Sequence, residues 1–143
     1  MKGLSAMSEG KKKILSGLAV ILVVVLVLLF RGDYGIVLSF DNDIFTVDGP
    51  QGYVFSVPLE DIESVSVMDS FDRGICTEGG TKHGYSFGIW ENGSGEYQLC
   101  VMDKVERFIS IRQTDGGITV LNFESDESTE NLYQLINDVL KNR

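Results

Sequence analysis

The sequence predicts a mainly β domain closed by one C-terminal α-helix and preceded by an N-terminal transmembrane helix. Three observations carry this expectation. Residues 14–30 (ILSGLAVILVVVLVLLF) form an apolar run without a single charge. Residues 35–123 break into short apolar or alternating runs punctuated by Gly, Pro, Asn and Asp, the pattern of strands and turns. Leu132, Leu135, Ile136, Val139 and Leu140 then recur at the spacing of one helical stripe.

The chain divides into a short basic tail (1–13), an anchor (14–31) and a β domain (32–143). At 1.5 Å per residue, the run from 14 to 30 spans roughly 25 Å, a little less than a hydrocarbon core. Lys13 and Arg31 flank it and can reach the interfaces with their long side chains. The main rival is a cleavable signal peptide. Its apolar segment would be shorter and followed by small residues, whereas Leu28, Leu29, Phe30 and Arg31 offer no such cleavage site. The run is also apolar all round, unlike a helix lying on a soluble core. Lys2, Lys11, Lys12 and Lys13 precede it; after Arg31 no Lys or Arg occurs until Arg73. The excess of positive charge predicts a single pass through the cell membrane, with the N-terminus cytoplasmic and the domain extracytoplasmic. Residues 31–33 spell RGD, read here as a juxtamembrane linker.

The domain is expected to begin with strands at 35–40 (GIVLSF), 44–47 (IFTV) and 53–57 (YVFSV). Turns at 41–43 and 48–52 join them as an antiparallel meander. Pro58 ends the third strand because it cannot donate to a ladder. A tight turn is expected at 59–62. Residues 63–68 (ESVSVM) alternate, with Val65 and Val67 on one face and Ser64, Ser66 and Met68 on the other. Residues 69–85 (DSFDRGICTEGGTKHGY) contain Gly74, Gly79, Gly80 and Gly84 and few aliphatics, and read as a long irregular loop, the kind that is often functional. Strands resume at 86–90 and 96–101 around an Asn92-Gly93 turn, and at 108–113 and 117–123 around residues 114–116. The helix is placed at 127–141, capped by Ser125 or Asp126, with Glu127 and Glu130 near its start and Lys141 and Arg143 near its end.

Charge narrows the functional classes. Residues 1–31 carry a net +4 and residues 32–143 a net −13. A domain this acidic repels phosphate backbones, which argues against nucleic-acid binding. Cys76 and Cys100 lack metal-ligand spacing and have only His83 beside them, so no metal or other cofactor is expected. The two thiols could pair in an oxidising compartment; the plainer reading keeps Cys100 in a strand as a small apolar residue. Glu60, Asp61 and Glu63, like Asp41 and Asp43, lack calcium-loop spacing and read as solvated turns.

Several stretches do suggest a family. Residues 76–79 (CTEG), 83–85 (HGY), 88–90 (GIW) and 97–101 (YQLCV) resemble the glycine-spaced centre of bacterial PH-like domains. The ending at 118–123 (ITVLNF), followed by Thr129, Leu132, Tyr133 and Ile136, does too. The resemblance spans about residues 36–140. It implies a bent β-sandwich or partly open barrel of seven or eight antiparallel strands, with the helix plugging one end, often behind a membrane helix. It implies no reaction. Phosphoinositide binding is not expected, because the first strands carry Asp41, Asp43 and Asp48 and no cation.

Candidate site residues lie in the glycine-rich segment. Arg73, Lys82 and His83 form its one compact cationic group and could contact an anion or a carboxylate; the plainer reading is a mobile loop whose charges are solvated. Phe71 and Tyr85 could anchor a partner peptide; Trp90 reads as core. Cys76 and His83 lack an orienting group, so no catalytic residue is assigned. The expected function is a non-catalytic, membrane-tethered binding or assembly module. It would hold the bilayer through residues 14–30 and engage a protein partner or a second copy of itself. The alternative is a small-ligand or envelope sensor using the 69–85 loop.

Overall fold

The computed structural model describes residues 35–142. The expected tail and anchor lie outside the described residues. Among the described residues, no helix is long and apolar enough to cross a membrane. The domain is mainly β with a single C-terminal α-helix, and its sheets do not close into a barrel.

Three strands, β1 (Val37–Asp41), β2 (Ile44–Asp48) and β3 (Val54–Pro58), form one antiparallel meander as expected. Asn42 and Asp43, at φ 51° and 61°, make the two-residue turn between β1 and β2, a conformation these short polar residues tolerate. Alternation turns Leu38, Phe40, Phe45, Val47, Phe55 and Val57 to one buried face. Phe40 stacks on Phe45 with centroids 4.9 Å apart.

The second sheet has six strands in the order β4-β8-β9-β7-β6-β5. These are β4 (Ile62–Met68), β5 (Ile75–Lys82), β6 (Tyr85–Asn92), β7 (Gly95–Met102), β8 (Phe108–Gln113) and β9 (Ile118–Leu121). Three expectations need correction. The strands number nine among the described residues, not seven or eight, and they are not all antiparallel: β9 slips between β8 and β7 and runs parallel to β7. Local alternation reports strand existence but says nothing about such non-local pairing. The expected 69–85 loop is likewise wrong, since β5 occupies much of it.

The inner face of this sheet packs on the meander and on α1 (Asp126–Lys141). Ile109, Ile111, Leu121 and Cys100 there meet Leu132 and Ile136 of the helix and the inward residues of β1–β3 in one cluster. Ser125 caps α1, its Oγ accepting the Ser128 N–H at 3.0 Å. Thr129 is buried but satisfied: its hydroxyl receives the Phe123 N–H at 3.0 Å and lies 2.8 Å from the Ser125 carbonyl. Asn122 is also fully buried. Its side chain accepts the Met102 N–H at 2.7 Å and donates to the Met102 carbonyl at 3.1 Å, tying the end of β7 to the end of β9.

The glycines of the central segment have a shared physical cause. Gly79 and Gly88 are cross-strand partners with φ of 107° and 105°. A Cβ on Gly79 would stand 2.3 Å from the Phe87 carbonyl oxygen, and one on Gly88 would stand 2.0 Å from that of Glu78. Next to them the register shifts between Cys76 and Glu78. The glycine pair therefore lets two backbones meet beside a bulge.

Candidate functional site

Beyond β4 the chain crosses the outer face of the six-stranded sheet toward β5 at the opposite edge. Residues 69–74 form this strap. Phe71 carries it: the ring meets Phe108 edge-on at 4.8 Å and Tyr97 at 6.0 Å. Beneath lies a second apolar cluster of Tyr97, Leu99, Val101, Phe108 and Val120, with Met68, Trp90 and Ile118 at its margin. The indole N–H of Trp90 donates to the Phe87 carbonyl at 3.1 Å, and the ring is half-buried at the cluster's edge.

Arg73 pins the strap. Its guanidinium carbon lies 6.0 Å from the Phe71 ring centre and 5.9 Å from that of Phe108. Nη1 donates to Asp103 Oδ1 at 2.8 Å and to Ser86 Oγ at 3.2 Å. Ser86 in turn donates to Asp103 Oδ1 at 2.6 Å and touches Thr81 Oγ1 at 3.0 Å. The Tyr97 hydroxyl donates to the Arg73 carbonyl at 2.7 Å, and Asn92 Nδ2 to the Asp72 carbonyl at 2.7 Å. Burial pushes the Tyr97 phenol up to about 12; Arg73 opposes that rise and Asp72 adds to it. At the strap's start, Arg107 donates to Asp69 Oδ1 from Nη2 at 3.1 Å and to Glu130 Oε2 from Nη1 at 3.0 Å. The hydrogen bond to Asp69, followed by that carboxylate's charge, raises the Arg107 pKa.

An open cleft of about 290 Å³ lies between the strap and residues 103–108, with Phe71, Arg73, Asp103, Glu106 and Phe108 on its walls. Its one central cation is already matched by Asp103. The expected cationic group does not assemble. Arg73 joins Ser86 and Thr81 on the outer face, while Lys82, next along β5, projects from the opposite side by strand alternation. His83 sits in the β5–β6 turn at φ 53°, followed by Gly84 at φ 82°. The partner-anchor expectation for Phe71 and Tyr85 also fails to bring them together. Phe71 is held inside the strap, and Tyr85 packs against the inner core near Gly35, where an added Cβ would lie 3.6 Å from its hydroxyl.

No nucleophile and base converge among these candidates. Cys76 pairs with Trp90 near one end of β5, and His83 lies beyond the other end, about 20 Å away at strand rise. Ser86 is 1% exposed and donates its proton to a carboxylate already bound by Arg73. Among the described residues, no group of three or more His, Cys, Asp or Glu could hold a metal ion. Both cysteines are free. Their strands are separated by β6, and the register sets Cys76 level with Trp90 but Cys100 level with Phe87. Two strand spacings of about 4.8 Å already exceed the reach of a disulfide. Cys100 is buried, with its thiol pushed up to about 12 by burial and, less, by Asp48.

The feature that sequence reasoning missed is β5 itself. It is an eight-residue edge strand, mostly exposed, beginning at Ile75, which is 75% exposed. Few aliphatics mark it, because neither of its faces is deeply buried. The available signal was the two-residue His83-Gly84 turn between Lys82 and Tyr85.

No family model matches the chain, and comparisons with curated proteins and with solved structures find no match either. The class that the fold defines is therefore coarse: two packed sheets closed by one helix, with β5 as an edge strand among the described residues.

Proposed function

We propose that this chain is a single-pass, membrane-tethered, non-catalytic module that binds a protein partner or a second copy of itself, with a domain of the PH-like kind. The anchor is residues 14–30, the N-terminus is cytoplasmic and the domain extracytoplasmic. The charge step from +4 to −13 across residue 31 supports this orientation. Strands followed by one closing helix support the PH-like reading, though the parallel β7–β9 pair lies outside a simple meander.

The observation that carries the binding role is the β5 edge. The expected site cation Arg73, like Arg107, is matched by carboxylates within the fold. By contrast, β5 is an eight-residue edge strand, mostly exposed among the described residues, and its outward backbone groups with the exposed Ile75 support a role in strand addition. Tethering confines such an edge and its partner to two dimensions and raises their effective concentration. Amine cross-linking of the full-length protein in native membranes tests this. A specific adduct that is lost on deleting residues 1–31 is expected, and a strictly monomeric, partner-free protein would refute it.

The sensor reading rests on the cleft beside Arg73. Its test is an Arg73→Ala, Lys82→Ala double variant: ligand responses that persist in it remove the strap and hairpin from any sensing role.

A further inference from the structure

We propose that the partner of β5 is β5 of a second copy, paired antiparallel about Gly80. This rests on the tethered-module reading and adds to it the occupant and the register.

The backbone restricts the register first. His83 and Gly84 form a two-residue turn, so Lys82 and Tyr85 are its closing, hydrogen-bonded pair. Alternation then directs the N–H and C=O of Lys82 and Gly80 toward β6, and those of Thr81 and Gly79 outward. In an antiparallel seam, outward residues must oppose outward residues. Centring the seam on Gly80 sets Thr81 opposite the second copy's Gly79, and that copy's Thr81 opposite Gly79.

Charge then selects among the registers that satisfy this rule. The Gly80-centred one places Glu78 opposite Lys82 twice, related by the two-fold axis, and opposite charges in cross-strand positions stabilise pairing. A shift of two residues toward the N-terminus would bring the irregularity between Cys76 and Glu78 into the seam. A shift the other way would set Glu78 opposite Gly84. Gly79 and Gly80 add no side chains at the centre, so the two edges can approach closely.

Chain direction agrees. The two-fold axis of an antiparallel seam runs perpendicular to the sheet, so both copies keep their inner faces on the same side. Tyr85 lies on that inner face, and Gly35, the first described residue, lies beside it. Both copies therefore carry Gly35 on one side of the joined sheet, an arrangement that suits two anchors in one bilayer.

The test is disulfide trapping in the full-length protein in native membranes. Gly80→Cys on a Cys76→Ser background places two cysteines at a non-hydrogen-bonded pair, where Cα atoms lie about 4.5 Å apart, within disulfide range. A Cβ at Gly80 meets nothing within 4 Å, so the substitution fits the folded chain. Mild oxidation is expected to trap a dimer, while Ser64→Cys on β4 is not. Glu78→Lys and Lys82→Glu are each expected to lower trapping about tenfold, because each makes both cross-strand charge pairs repulsive. Co-expressing the two charge variants restores opposite charges and is expected to restore trapping between them. If amine cross-linking captures dimers but the Gly80→Cys variant does not trap, the β5 seam is wrong and self-association through another surface stands. If neither method captures a dimer, this seam is overturned; heterologous adducts would then leave only the partner-binding reading.

Discussion

On the inner face of the six-stranded sheet, Ile109, Ile111 and Leu121 meet aliphatic side chains from a second sheet and a helix. On the outer face, Leu99, Val101 and Val120 meet Phe71, with the Arg73 guanidinium above its ring. The inner cover consists of regular elements whose amphipathic patterns bury many methyl groups. The outer cover is an irregular strap fixed by one aromatic anchor, an ion pair and a few backbone contacts. A cation in a glycine-rich stretch can thus be a clasp for a second small core, and a clasp and a binding site look alike until their partners are known.

Substitutions that break the two covers should separate them by size. Leu121→Ala or Ile136→Ala, both at 0% exposure, is expected to cost about 2–5 kcal/mol through lost burial and residual cavity. Denaturant unfolding of the domain measures this. At the seam between the covers, Asn122→Leu removes the acceptor of the Met102 N–H. A loss of about 2–3 kcal/mol is expected, the cost of an unsatisfied buried donor together with the lost bond.

On the outer face, Arg73→Ala should cost about 1 kcal/mol, because its ion pair with Asp103 is only partly buried. Its clearer signature is local: proteolysis and hydrogen exchange at residues 69–74 should rise while the inner core stays protected. A global loss as large as that of Leu121→Ala would erase the distinction between the faces. Smallest of all, Lys82→Ala, at an exposed position without an ion pair among the described residues, should change stability by less than about 0.5 kcal/mol.

Alkaline pH tests both faces together. Cys100, inward, and Tyr97, outward, have folded pKa values raised to about 12, from 9.0 and 10.0. A group whose folded pKa is raised contributes its full stability below the unfolded value and loses it as pH climbs through the folded one. Stability is therefore expected to decline from about pH 9 toward pH 12. Cys100→Ala should flatten the lower part of that decline and Tyr97→Phe the upper part. At neutral pH the native protein should expose one thiol, Cys76, to a labelling reagent, and two once unfolded.

The inner half of this architecture is more legible in the sequence than the outer half. Leu38, Phe40, Phe45 and Val47 alternate along half-buried strands, and Leu132 and Ile136 lie on a clear helical stripe, so local periodicity locates their elements. The cap is legible only to within a residue: Ser125 and Asp126 both precede the acidic first turn, and it is Ser125 that accepts the Ser128 N–H. Nothing local distinguishes β9 inserting beside β7, since parallel pairing depends on residues far apart in the chain. β5 is hidden because Gly79 and Gly80 replace the aliphatics that normally mark a strand. Arg73 is legible as a charge but not as a clasp: Asp103 lies thirty residues away.

The most direct measurement of the central claim is hydrogen exchange along β5, in the full-length protein in membranes and in residues 32–143 alone. The outward amides of Gly79 and Thr81 should exchange freely in the untethered domain and slow by about tenfold or more in the membrane. The Lys82 amide, bonded toward β6, should change little. Equal exchange of Gly79 and Thr81 in both forms would contradict the claim that tethering brings this edge to a partner.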